Sequence, residues 1–194
     1  MFSRIRAKMD NVAAALPNTP PRPATPGVTK LALVAMLAGT GVAVAVFATR
    51  RSGGAVAPGF AAPFLWLFSS LFLVRVGGQL LVRLRRPVWL PPTEQWNLTP
   101  YRLLLPTQVA ILALMAWINI AFSLGHGPPL RLGPRLGEGV LVFAYVYASA
   151  MAIRYVIRMA GQPQERWFGG TIPIVFHWVI AAYLYVLGSF YASH

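Results

Sequence analysis

Residues 60–82, FAAPFLWLFSSLFLVRVGGQLLV, hold one charge, Arg75, in an otherwise apolar run. At 1.5 Å per residue such a run crosses a hydrocarbon layer of about 30 Å. Four further runs match it, at 31–49, 103–124, 140–159 and 172–191. The reading is an all-α, polytopic integral membrane protein with five transmembrane helices in one bundle, residues 30–194.

Basic residues set the orientation. With the N-terminus inside, the inner segments collect Arg4, Arg6, Lys8, Arg22, Lys30, then Arg83, Arg85, Arg86, Arg102, then Arg154, Arg158 and Arg166. The outer segments collect Arg50, Arg51, Arg131 and Arg135. Twelve against four, with Arg75 inside a span, is the bias left when basic residues stay cytoplasmic during insertion. The expectation is a multi-pass protein of the cell membrane, N-in and C-out.

Composition narrows the function classes. Of the 194 residues, 57% are apolar and 11% charged, against roughly 25% charged in a soluble domain. The net charge of +13 sits largely at span edges, where anionic headgroups neutralise it, so no nucleic-acid partner is expected. The absence of cysteine removes disulfides, thiolate metal sites and cysteine nucleophiles. The first run and its thirty-residue lead are both longer than a cleaved signal requires, so this span reads as retained.

Before the first span, Phe2, Ile5, Met9, Val12 and Leu16 recur at helical spacing beside Arg4, Arg6 and Lys8. Residues 1–16 thus read as a basic amphipathic helix on anionic lipid, and the proline-rich residues 17–29 as a stiff linker. Trp89, Trp96 and Trp167 in the inner loops read as an interfacial belt.

Lipid tails give little hydrophobic drive between helices, so packing should follow small residues. Gly39, Gly41, Ala43 and Ala45 in the first span, and Ala144, Ala148 and Ala152 in the fourth, form such ridges and predict that these two helices meet.

Arg75, Gln108, Arg154 and His177 fall at one depth, about 6–12 Å from the inner span ends, and Gln79 lies four residues beyond Arg75. An arginine near a span centre costs about 2.5–3.5 kcal/mol, which apolar neighbours returning about 0.3–0.6 kcal/mol each offset during insertion. Folding must still supply acceptors, for which Glu94 and Glu165 in the two inner loops, Gln79, Gln108 and backbone carbonyls freed near Pro106 are the candidates. Arg75, Gln79, Gln108, Arg154 and His177 therefore predict a cytoplasm-facing cationic pocket for an anion: a lipid phosphate, a carboxylate or a quinone carbonyl. The competing account has Arg83, Arg86, Arg154 and Arg158 extending to the headgroups, with Arg75 and His177 as structural polar residues.

No catalytic motif is present. The four acidic residues, Asp10, Glu94, Glu138 and Glu165, lie in separate segments. His126, His177 and His194 lie at different depths, which argues against a bis-histidine haem, and no metal set has supporting spacing. Gly161, Gln162, Pro163, Trp167 and Gly169 are faintly similar to the motif between the last helices of small isoprenylcysteine and phospholipid methyltransferases, though the Arg-His pair and the acidic motif are missing. That resemblance implies an intramembrane enzyme. The sequence itself supports first a noncatalytic accessory or scaffold subunit of a larger membrane complex, with its cofactors unknown. Second comes a small homo-oligomeric transporter or channel. Reporter fusions before Met1 and after His194 should light up in opposite compartments; the same compartment for both rejects the topology.

Overall fold

The computed structural model describes residues 27–51, 54–85, 90, 101–130, 133–161 and 172–194. The amphipathic segment 1–16, most of the proline-rich linker and Trp89, Trp96 and Trp167 lie outside them. The described secondary structure is all helical: α1 Gly27–Arg51, α2 Pro58–Arg85, α3 Tyr101–Ser123, α4 Pro134–Gly161 and α5 Ile172–Ala192. All five helices are long and apolar enough to cross a membrane. The helix α1 begins at Gly27, so the last three residues read as linker are helical.

Local signals explain the ends. Pro58 and Pro134 occupy first helical positions, where the missing N–H costs nothing and the fixed φ suits the helix. This start carries α4 six residues beyond the apolar run. Helix α3 stops at a Schellman turn: Gly125 adopts φ +75°, its N–H bonds Phe122 O at 3.1 Å, and His126 N–H bonds Ala121 O at 3.2 Å.

Helix α5 is central. It packs against α4, α2 and α1, while α2 also packs against α3 and, over a short stretch, α1. In its most apolar window α5 is 72% buried and α4 only 11%. The main core joins Phe47, Leu65, Phe68, Phe72, Phe122 and Val186. A smaller cluster of Leu33, Val82, Ile172, Val175 and Phe176 closes the end where α1 begins, called here the basic end.

The pairing of small residues differs from the sequence expectation. Helices α1 and α4 do not touch among the described residues. Their ridges instead form opposite walls of a groove of about 360 Å³, with Gly41 on one wall, Ala144 and Ala148 on the other, and Ala181 and Ala182 of α5 as its floor. Ala43 is buried against Phe47, Ala152 is half-buried, and Gly39 and Ala45 are exposed. A glycine ridge brings helices together only where a backbone fits against it, and a Cβ on Gly39 or Gly41 would meet nothing within 4 Å.

Close approach occurs between α4 and α5. A Cβ on Gly137 would lie 2.4 Å from Ala192 N, and one on Gly188 would lie 2.9 Å from Leu141 N. Ala144, two turns along from Gly137, is buried on the same face. Replacing Gly137 with Leu should therefore separate the helices and cost at least about 1–3 kcal/mol. Gly139→Leu, where a Cβ meets nothing, should leave unfolding in mixed micelles unchanged or stabilise it.

Candidate functional site: a buried polar layer at the basic end

Two polar clusters occupy the interior, and the first fixes the register for the second. Asn119, fully buried on α3, donates from Nδ2 to Ser69 Oγ at 2.8 Å and to Leu65 O at 3.3 Å on α2. Its Oδ1 accepts from the Tyr183 hydroxyl of α5 at 3.1 Å. Beside it, Trp66 Nε1 donates to Ser123 Oγ at 2.9 Å, and that hydroxyl donates to Asn119 O at 2.8 Å. One amide thus ties three helices together with its oxygen and both main partners of its nitrogen satisfied.

From that junction α2 and α3 run antiparallel toward the basic end. Gln79 lies ten residues past Ser69, and Gln108 eleven residues before Asn119, so both residues sit about 15–17 Å along their helices from the junction, at one level. Gln79 is 1% exposed and Gln108 5% exposed. Arg75, one turn from Gln79 on the same face of α2, is 7% exposed.

Helices α4 and α5 complete this layer. The Arg75 guanidinium lies over the Phe176 ring, 5.4 Å from its centroid. The next residue, His177, shares a short hydrogen bond through Nδ1 with the Tyr147 hydroxyl of α4. Trp178 Nε1 then donates to Ala148 O at 3.1 Å, which holds the two helices in this register. Tyr147 stands within the electrostatic reach of Arg75, and His177 within that of Arg75 and Arg154.

Four of the five predicted residues, Arg75, Gln79, Gln108 and His177, therefore lie toward the basic end and are buried or half-buried. Arg154 is exposed on α4, where it lines an open depression of about 670 Å³ with Ile153, Ile157 and Arg158. It stands at the margin of the layer. His126 is exposed beyond α3, and His194 stacks on Phe190 at the opposite end, 4.2 Å between centroids.

Polar satisfaction differs sharply between the clusters. Arg75 Nε, Gln79 Nε2 and Gln108 Oε1 are buried without a hydrogen-bond partner among the described residues. Hydrogen-bonding groups in that condition normally cost about 1–3 kcal/mol each. Glu138, the one acidic side chain among the described residues, is exposed near the start of α4, at the far end from Arg75. Among the described residues, the layer thus combines a cation with no carboxylate near it, spare donors and a spare acceptor.

Sequence reasoning missed Tyr147, Phe176 and Asn119. Tyr147 lies seven residues from Arg154 and so on nearly the same helical face, a signal that was available. Asn119 is the single Asn or Asp within the five apolar runs, and mid-span amides commonly join helices. Nothing in the sequence marks Phe176 as the ring beneath Arg75.

Asn119→Leu should cost about 1–2 kcal/mol in mixed-micelle unfolding, because it strands Ser69 and the Tyr183 hydroxyl together. Tyr183→Phe should cost less, and Ser70→Ala, on the exposed side of α2, should be silent.

No family model matches the chain, and no curated protein or solved structure matches it, so the chemistry of the polar layer carries the functional argument.

Proposed function

We propose that this chain is a noncatalytic accessory or scaffold subunit of a larger assembly in the cell membrane, threaded N-in and C-out as one five-helix bundle. Its cytoplasm-side polar layer anchors an anion. The observation that carries this reading is the unsatisfied chemistry of that layer: a buried guanidinium and two buried amides with unserved polar atoms, beside a hydrogen-bonded Tyr147–His177 pair. Such a set of donors around one cation suits holding a charged group in place.

Helix α4 supports the scaffold role. It rests on α5 alone among the described helices, and Val142, Phe143, Val146, Ile153, Val156 and Ile157 all remain exposed on it. In a membrane such a helix meets either lipid or another subunit, and its 28 residues give a partner a full-length surface.

Gentle extraction from the native membrane should recover the chain with larger partners in fixed stoichiometry. Val142→Trp combined with Val146→Trp, changes that lipid tolerates but a packed neighbour does not, should release the partners while the chain unfolds at its usual temperature. Recovery of the wild-type chain alone rejects the scaffold reading, and a symmetric homo-oligomer passing solute replaces it with the transporter.

A further inference from the structure

The polar layer specifies its occupant more closely than by charge. We propose that Arg75, Gln79 and Gln108 hold the headgroup of an anionic phospholipid that carries both a phosphodiester and a free hydroxyl, as in phosphatidylglycerol. This inference rests on the pocket reading above and names its ligand.

Arg75 supplies the charge argument. Its guanidinium is 7% exposed, and no acidic side chain among the described residues lies at its end of the molecule. A buried cation left unpaired is strongly unfavourable, and contact with an aromatic face offsets only about 0.5–2 kcal/mol. Reaching the headgroup level by extension alone is also disfavoured. Side chains lean toward the N-terminus of their helix, and the N-terminus of α2 lies at the opposite end. An anion reaching the arginine from the membrane would satisfy it, and membranes thin locally around such residues.

Donor geometry favours a phosphate. The Arg75 guanidinium carbon lies 5.4 Å from the Phe176 ring centroid, an aromatic contact that uses none of the N–H donors, and Nε has no acceptor among the described residues. Arginine presents its N–H edge as a fork that matches two oxygens of a phosphate. Gln79 Nε2, one turn away on the same face, adds a third donor for another oxygen. A quinone carbonyl offers one oxygen at this site and no charge.

Gln108 supplies the hydroxyl argument. Its Oε1 is an acceptor without a donor among the described residues. A phosphodiester has no hydrogen to give, whereas a glycerol headgroup does. A zwitterionic headgroup fits less well, because its ammonium would enter a site that already holds one cation and no acidic side chain among the described residues.

The test uses the full chain in mild detergent, read by native mass spectrometry during titration with defined lipids. Phosphatidylglycerol should be retained at least about tenfold better than phosphatidylcholine, the factor expected of a charge-assisted contact. Phosphatidylmethanol has the same charge and no headgroup hydroxyl, and should fall between them. Arg75→Gln should abolish the preference for anionic lipid. Gln108→Leu should instead make phosphatidylglycerol and phosphatidylmethanol equal while both still exceed phosphatidylcholine. Circular dichroism and a monodisperse elution profile verify that each variant is folded; where Arg75→Gln is not, Arg75→Lys keeps the charge but not the fork and should lower the preference for anionic lipid without abolishing it.

Equal retention of phosphatidylglycerol and phosphatidylcholine by the wild type overturns the proposal. Inorganic phosphate competing at equal concentration overturns the lipid as source and leaves an anion pocket. Selective retention of a quinone overturns the phosphate and leaves the pocket. If no probe binds and Arg75→Met yields a more stable chain with its partners intact, the pocket reading falls as well.

Discussion

Backbone contact between α4 and α5 at Gly137 and Gly188 is the constraint on which the polar layer depends. Among the described helices α4 packs only on α5, so nothing else fixes its height or rotation. With a side chain at either glycine the helices would stand apart, and the Tyr147 hydroxyl would leave His177. The indole of Trp178, bonded to Ala148 O, secures the same register one step away. A packing event near one end thereby sets a polar arrangement near the other.

The Asn119 junction does for α2 and α3 what the glycines do for α4 and α5. Apolar side chains in hydrocarbon slide past one another at little cost, since lipid is as apolar as Leu or Val. A buried amide joined to Ser69, Leu65 O and Tyr183 allows one alignment. That alignment brings Gln79 level with Gln108. The contrast between the two clusters is informative: the junction satisfies its polar atoms from within, whereas Arg75, Gln79 and Gln108 retain atoms that no described residue serves.

Much was legible before any packing was known. Hydropathy located all five helices to within a few residues, apart from the start of α4, which Pro134 places six residues ahead of the apolar run. The common level of Arg75, Gln108 and His177 was also legible, because depth in a span is a count of residues from its end. Rotation was not. Helix spacing tells which residues share a face but not which neighbour that face meets, and so Gly39 and Gly41 pointed to an α1–α4 contact that α5 prevents by lying between them.

The sequence by itself determined the number of apolar helices, their order, the clustering of basic residues at one end and the burial of charge within α2, since each follows from composition along the chain. Tertiary structure alone decided that Phe176 lies under Arg75, that Tyr147 meets His177 and that Arg154 stays at the margin. These depend on the rotation and offset of one helix against another. Both are governed by a few close contacts, at Gly137, Gly188 and Asn119, whose partners lie 47 or more residues away along the chain.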